Sequence, residues 1–319
     1  HFSEKKNTAA VEISGEIVYN DRDSDKLRWI FPKPKERRQM RSMDSEPVIG
    51  IFDSGIGGLS VLLAALRALP SARFLYYADT AHVPYGEKSR EEICAFSAVA
   101  VETLRAMGAD SVVIACNTAT SAAITCLRAQ FEPSLPIIGM EPAVKPALTR
   151  AGHRRILTAA TPVTVRGEKL RRLIDLYHGE KQTDLVPLPG LVRLAEAECF
   201  DTDEVRAYVR EALAPFAPSF SSYSAFVLGC THFNYFKDTF RAFFPPETAL
   251  IDGIAGTISR LLQRIGRTAS ADPGDARCLT PKELREHVTF LSSGSLSDDA
   301  EQARFFRLLQ RLEQMEAIS

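Results

Sequence analysis

From Val48 onward, short continuous apolar runs alternate with longer stretches in which apolar residues recur at helical spacing. Val48–Phe52, Phe74–Ala78, Ser111–Ala115 and Ile137–Met140 read as buried strands. Leu59–Leu69 predicts a helix with Leu62, Leu63, Leu66 and Leu69 on one face, and Arg90–Met107 predicts a second helix. The same plan returns further on. Arg155–Ala160 is a strand, Thr161–Thr164 a loop, about Val165–Tyr177 a helix and Thr183–Leu188 a strand. Val205–Phe216 is then a helix, and Ala225–Gly229 a strand that runs straight into Cys230. Strand and helix in alternation predict an α/β protein with largely parallel sheets.

The two stretches look like a diverged internal repeat. Each runs strand, polar loop, helix, strand, helix, strand, cysteine. Asp53 stands 63 residues before Cys116, and Thr161 stands 69 before Cys230. The expected architecture is two similar α/β domains with parallel sheets related by a pseudo-twofold axis and an active site in the cleft between them. Residues 1–47 have no long apolar periodicity. They hold the single Trp within the basic stretch Lys26–Arg38, and two readings stay open for them. One is a solvated, flexible extension; the other is a regulatory or docking arm anchored by Trp29 and Phe31.

Composition narrows the function classes. A chain of 319 residues is long enough for two cores. With 45% hydrophobic and 25% charged residues it reads as globular. A net charge of -1 provides no general field for nucleic acid or an anionic membrane. No apolar run approaches the roughly 18 residues that span a bilayer, and there is no secretory h-region. Six cysteines without a CxxC pair point to reduced thiols and a cytoplasmic setting.

Every distinctive motif falls at a strand's carboxyl end, where parallel sheets bind ligands. Asp53-Ser54-Gly55-Ile56-Gly57-Gly58 makes a Gly-rich turn into a helix, suited to a carboxylate or phosphate, although it matches neither dinucleotide nor P-loop spacing. Asp53 is placed to accept hydrogen bonds from a substrate ammonium. Cys116-Asn117-Thr118 and Cys230-Thr231-His232 each place a thiol at a strand end opening a helix, an environment that lowers thiol pKa, with short polar side chains following. One such cysteine is ordinarily a small apolar residue. Two at equivalent places in a repeat predict thiols on opposite sides of one bound molecule, as stereoinversion at a carbon requires. One thiolate removes the proton and the other thiol returns one, with His232 as acid or orienter.

Other readings fit less. Cys230 and His232 alone do not make a zinc site, so no metal and no cofactor are expected. A redox dithiol would need the two sulfurs in contact, and a Cys–His hydrolase leaves the second cysteine unused. Cys94, Cys126, Cys199 and Cys278 read as core or surface thiols.

Four segments, in order, resemble the signatures of the glutamate racemases within the aspartate/glutamate racemase family. They are Phe52–Gly58, Val83-Pro84-Tyr85-Gly86, Ala115–Ala119 and Leu228–His232, within a similarity running from about Val48 to about Leu262. The resemblance implies interconversion of L- and D-glutamate without pyridoxal phosphate, supplying D-glutamate for peptidoglycan. It makes Cys116 and Cys230 the proton carriers, with Asp53 and His232 assisting. Asp53, Ser54, Tyr85, Gly86, Asn117, Thr118, Thr231 and His232 become substrate contacts, and Glu196 the acidic residue near the histidine. It further implies a first domain of residues 48–141 plus 253–319, a second of 142–252, and a hinge at Glu141-Pro142. A homodimer and a cell-wall-precursor regulator are among its implications; nucleic acid and membrane are not. One departure is Asn234, where the family usually carries proline. Two alternatives stay open: aspartate racemisation, and a non-catalytic sensor of acidic amino acids.

Overall fold

The computed structural model describes residues 46–269 and 280–318, together with the strands β1 (Ala10–Ile13) and β2 (Glu16–Tyr19). These two strands pair antiparallel, Ala10 opposite Tyr19, and belong to a unit of their own, His1–Ser45. This hairpin was not expected from the sequence. Trp29, Phe31 and the basic stretch lie outside the described residues.

Residues 46–319 form one unit built on two sheets. The first contains β3 (Val48–Asp53), β4 (Arg73–Ala78), β5 (Ser111–Ile114) and β6 (Ile137–Gly139). The second contains β7 (Arg155–Ala160), β8 (Thr183–Pro187), β9 (Tyr223–Leu228) and β10 (Ala249–Asp252). The first runs β4-β3-β5-β6 and the second β8-β7-β9-β10, with every neighbouring pair parallel. Numbered within each half, both orders are 2-1-3-4, so the repeat read from the sequence is a repeat of topology. The chain's end then extends the first sheet: β11 (Val288–Ser292) joins β4 in parallel and β12 (Ser295–Leu296) turns back antiparallel.

Helices cover both faces. The first half carries α1 (Leu59–Ala68), α2 (Arg90–Ala106) and α3 (Asn117–Phe131). The second carries α4 (Val144–Ala151), α5 (Pro162–Arg166), α6 (Glu168–Leu176), α7 (Pro189–Glu196), α8 (Asp203–Leu213) and α9 (Lys237–Arg241). Beyond them lie α10 (Ile254–Ile265), α11 (Pro281–His287) and α12 (Asp299–Glu316). Among the described residues, no helix is long and apolar enough to cross a membrane.

Strands covered on both faces divide their side chains between two cores. In β3, Ile49 and Ile51 face one core while Val48 and Phe52 face the other, against α2 and α3. The core behind Ile49 continues without a break to Leu157, Phe226 and Leu228 of the second sheet, so the two sheets share one apolar layer. Phe226 is fully buried there, its ring 4.8 Å from that of Phe240 and 4.7 Å from that of Phe244. Phe226→Ala should cost about 3–5 kcal/mol through lost burial and the cavity left behind. A urea titration would show this as a lower midpoint with an unchanged slope.

Two sequence expectations need correction. The loop expected over Thr161–Thr164 and the single helix over about Val165–Tyr177 are instead two helices, α5 capped by Thr161 and α6, meeting at Gly167. Gly167 is extended (φ -67°, ψ 134°), and a Cβ there would sit 2.7 Å from Ser121 Oγ and 3.0 Å from Val163 O, so close packing selects glycine and breaks the helix. The helix expected over Val205–Phe216 begins at Asp203, capped by Thr202, and gives way after Leu213 to 3₁₀ turns carrying Pro215 and Pro218.

Candidate active site

In each sheet the strand order reverses between the first and third strands, and the crevice outside that point is where such sheets bind ligands. Asp53 ends β3 and Cys116 follows β5; Thr161 follows β7 and Cys230 follows β9. The two crevices interlock by reciprocal contacts. Thr231 Oγ1 donates to Asp53 Oδ1 at 3.1 Å, and Thr118 and Thr161 share a hydroxyl–hydroxyl bond of 2.9 Å. In each pair, the loop after one half's first strand meets the cysteine loop of the other half. The repeat marks Thr161 as the counterpart of Asp53, but nothing in the sequence marks its hydroxyl as part of the site.

The cysteines differ in setting. Cys116 caps α3, its Sγ accepting from Ala119 N at 3.4 Å and contacting Ser54 Oγ at 3.5 Å. The expectation that a helix start lowers its pKa is overturned. Burial, then the nearby Asp53 carboxylate, outweigh the Ala119 and Ser54 hydrogen bonds and push the thiol up to about 12. Cys230 caps no α-helix: its backbone is extended, and Thr231–Phe236 is a 3₁₀ segment. Its Sγ lies 3.9 Å from His232 Nδ1. Both thiols are buried, and Cys116 responds to the charge of Cys230 as well as to that of Asp53.

His232 and Glu196 connect the Cys230 side to the Gly-rich loop. His232 Nε2 lies 2.7 Å from Glu196 Oε1, which also accepts from Ile56 N at 2.9 Å. Burial alone would depress His232, but hydrogen bonds to Cys230 and Glu196 hold it well above the usual imidazole range. Burial likewise opposes charge on Glu196, and the His232 bond overcomes it and lowers the carboxyl. Glu196 closes α7, the helix end that disfavours an anion. Its compensating partners are His232, Ile56 N and Arg304 of α12, whose Nη2 lies 3.6 Å from Oε2. The carboxylate for which the Gly-rich turn is suited is therefore the protein's own.

That close approach explains two glycines. A Cβ on Gly55 would lie 1.8 Å from Glu196 Oε1, and one on Gly57 would lie 2.4 Å from Thr231 Oγ1. Two buried phenols secure the same loop: Tyr76 donates to Gly55 O at 2.7 Å and Tyr235 to Ile56 O at 3.0 Å. Burial, first of all, raises the Asp53 carboxyl; it accepts from Gly55 N at 3.0 Å and from Thr231. Asn117 is buried, its Nδ2 3.5 Å from Met140 O and its Oδ1 without a partner. At Asn234, where proline was expected, the side-chain Nδ2 donates to Thr231 O at 3.1 Å, so a hydrogen bond holds the turn a pyrrolidine ring would stiffen.

Tyr85 and Gly86 reach the same region through a short 3₁₀ turn, Tyr85–Glu87, and a Cβ on Gly86 would lie 2.8 Å from Thr161 Cβ. Asp79, absent from the sequence-based candidates, secures this turn. It accepts from Tyr85 OH at 2.6 Å and from Ser293 Oγ at 3.2 Å, and it lies 2.8 Å from His82 Nδ1. Burial, then the Asp79 charge, raise the Tyr85 phenol, which stays a donor. Asp79→Asn should lower kcat/KM on the order of tenfold and the unfolding free energy by about 1–3 kcal/mol, because it weakens a charge-assisted bond in the folded state. Steady-state kinetics and a urea titration of the variant check this. Among the described residues, no group of three or more His, Cys, Asp or Glu side chains is arranged to hold a metal ion.

A chain with two thiols, one histidine and two acids at the meeting of repeated α/β halves has recognisable relatives. Residues 49–261 match the family model of the Asp/Glu/Hydantoin racemases. The chain belongs to that family. A glutamate racemase of Campylobacter curvus is 50% identical over 273 residues, covering 84% of this chain and 98% of that protein. Glutamate racemase 2 of Bacillus subtilis is 38% identical over 269 residues, covering 83% of this chain and 96% of that protein. Among solved structures, Escherichia coli glutamate racemase in complex with L-glutamate and the activator UDP-MurNAc-ala superposes with a TM-score of 0.68 at 28% identity. That match covers 84% of this chain and 96% of the other. The family match spans nearly the segment over which the motifs resemble glutamate racemases, and the described elements β11 and α12 lie beyond it.

Proposed function

We propose that the protein is a cofactor-independent glutamate racemase that exchanges the α-proton of glutamate through Cys116 and Cys230. The observation that carries this reading is the reciprocal interlock, which brings the cysteine loop of each half against the first-strand loop of the other. It is supported by extensive identity to proteins named glutamate racemase.

In the proposed reaction one cysteine, as thiolate, takes the α-proton, and the other thiol gives its proton to the opposite face of the carbanion. The product is the mirror-image amino acid, and the two sulfurs have exchanged protonation states. Burial and the Asp53 charge favour the protonated thiol at Cys116, which suits it to give the proton in one direction of the reaction, and in the other direction the roles exchange. His232, protonated and bound to Glu196, offers Nδ1–H to the sulfur of Cys230 and favours negative charge there whenever that sulfur carries it. The unpartnered Oδ1 of Asn117 and the Asp53 carboxylate are assigned to the substrate ammonium. The hydroxyls of Ser54, Thr118 and Thr231, with the Tyr85–Gly86 turn, are assigned to its carboxylates. Dry surroundings strengthen each of these interactions in the carbanionic transition state.

These groups are buried, so substrate entry requires the halves to part. We assign that motion to rotation of residues 142–252 against 48–141 plus 253–319, about the two adjacent crossings at Glu141-Pro142 and Gly253. A Cβ on Gly253 would lie 2.4 Å from Glu141 O. In the cell the reaction would supply D-glutamate to peptidoglycan synthesis in the cytoplasm. Regulation by a cell-wall precursor and assembly as a homodimer are part of the same proposal.

Incubation with L-glutamate in deuterated water, without added cofactor, tests the reading. Expected are deuterium at the α-carbon and decay of optical rotation to zero. Exchange with L-aspartate but not L-glutamate would move the assignment to aspartate racemisation. Binding of glutamate with no exchange would favour a sensor.

A further inference from the structure

Two cysteines outside the reaction face each other on neighbouring helices. Cys94, in the first turns of α2, and Cys126, in the second half of α3, have their sulfurs 3.2 Å apart. Cys126 is exposed and Cys94 half-buried. Each thiol has a local acceptor: Cys126 donates to Ala123 O at 2.9 Å and Cys94 to Ala122 O at 3.7 Å. The two sulfurs are therefore in contact while both are reduced. A disulfide needs about 2.05 Å between sulfurs, an approach of roughly 1 Å that side-chain rotation can supply.

We propose that Cys94 and Cys126 form a reversible dithiol/disulfide site that clasps α2 to α3 when the protein meets a low-molecular-weight disulfide. The exposed Cys126, as thiolate, attacks one sulfur of the oxidant RSSR. This forms a Cys126–SR bond and expels RS⁻, which takes up the proton that Cys126 released. Cys94, as thiolate, then attacks Cys126 Sγ, breaks the Cys126–SR bond and releases a second RSH. The protein loses two electrons and two protons, and one RSSR becomes two RSH. Cys126 is exposed and Cys94 half-buried, so the geometry assigns the first attack to Cys126 and resolution to Cys94, whose thiol pKa is also raised by burial and the Cys126 contact. The clasp joins the helix that follows the Tyr85–Gly86 turn to the helix that Cys116 caps. Cys116 and Cys230 are buried, which directs the oxidant to the exposed sulfur.

The full chain is incubated with glutathione disulfide, quenched with acid, alkylated and mapped by mass spectrometry with fragmentation, since Cys116 and Cys126 share a tryptic peptide. Expected is a Cys94–Cys126 cross-link that dithiothreitol removes. Cys94→Ala should instead leave a glutathione adduct on Cys126, and Cys126→Ala should react at least tenfold more slowly at Cys94. The proposal is overturned if the wild-type chain accumulates the Cys126 adduct with Cys94 still reduced. It is equally overturned if neither sulfur reacts while an added small thiol in the same tube is oxidised.

Discussion

Cys116→Ser and Cys230→Ser are each expected to lower racemisation by about 10²–10⁴-fold, the range for a positioned acid or base. A hydroxyl is of similar size but far less acidic than a thiol, so neither proton acceptance nor return proceeds at a useful rate. The substitution leaves each position's backbone setting intact, and the folded fraction should change little. The two variants should also differ in kind. With one functional sulfur, a proton can leave and return only on one face, so each variant should exchange the α-proton of one enantiomer without inverting it. The favoured enantiomer should be opposite for the two. Separate assays of deuterium uptake and optical rotation on D- and L-glutamate distinguish this from simple loss of binding. Equal residual exchange of both enantiomers by one variant would mean that its sulfur was not facing the substrate.

Glu196→Gln should lower kcat/KM by about 10- to 100-fold, because a charge-assisted bond to a buried imidazolium is worth roughly 1.5–3 kcal/mol. It should also reshape the pH dependence. His232 is raised in the folded state, so its contribution to stability is fully present below the ordinary imidazole pKa of about 6.5 and is lost as pH rises through the raised value. Glu196 is lowered, so its contribution is present above the ordinary carboxyl value of 4.5 and is lost as pH falls through the depressed one. Between those limits the pair is intact. Removing the carboxylate charge lets His232 lose its proton at lower pH, so the alkaline limb of kcat/KM should move towards neutrality. The unfolding free energy should fall by about 1.5–3 kcal/mol near pH 7, since Gln keeps the acceptor oxygen but loses the charge that assists its bond to His232. An alkaline limb that stays in place in Glu196→Gln would remove His232 from the rate-determining ionisations.

How far the sequence anticipates this arrangement depends on how local each signal is. The apolar runs at Val48, Ser111, Arg155 and Ala225 announce strands because covered parallel strands are apolar on both faces. The two cysteines stand out because each directly follows such a run, and the halves share one strand order in space. Glu196 is different. Its helix gives no hint that the carboxylate fills the Gly55–Gly57 turn, a contact between residues 140 positions apart. Resemblance to relatives identified it; periodicity could not. Tyr76 and Tyr235 are equally silent, since they bond the Gly55–Ile56 backbone from distant elements, and so is Asp79, whose bonds to Tyr85 and Ser293 follow no motif. The thiol of Cys116 shows the limit of a local rule: the helix start lowers its pKa, but burial and Asp53, both set by the tertiary fold, raise it further.

Racemisation by this site needs two sulfurs that address one carbon from opposite sides. A crystal structure with D-glutamate bound tests it most directly. Expected is an α-carbon between Cys116 Sγ and Cys230 Sγ, each about 3–4 Å away and on opposite faces of the plane through its three non-hydrogen substituents. An α-carbon with both sulfurs on one face, or with one sulfur turned away from it, would mean that Cys116 and Cys230 are not the acid/base pair.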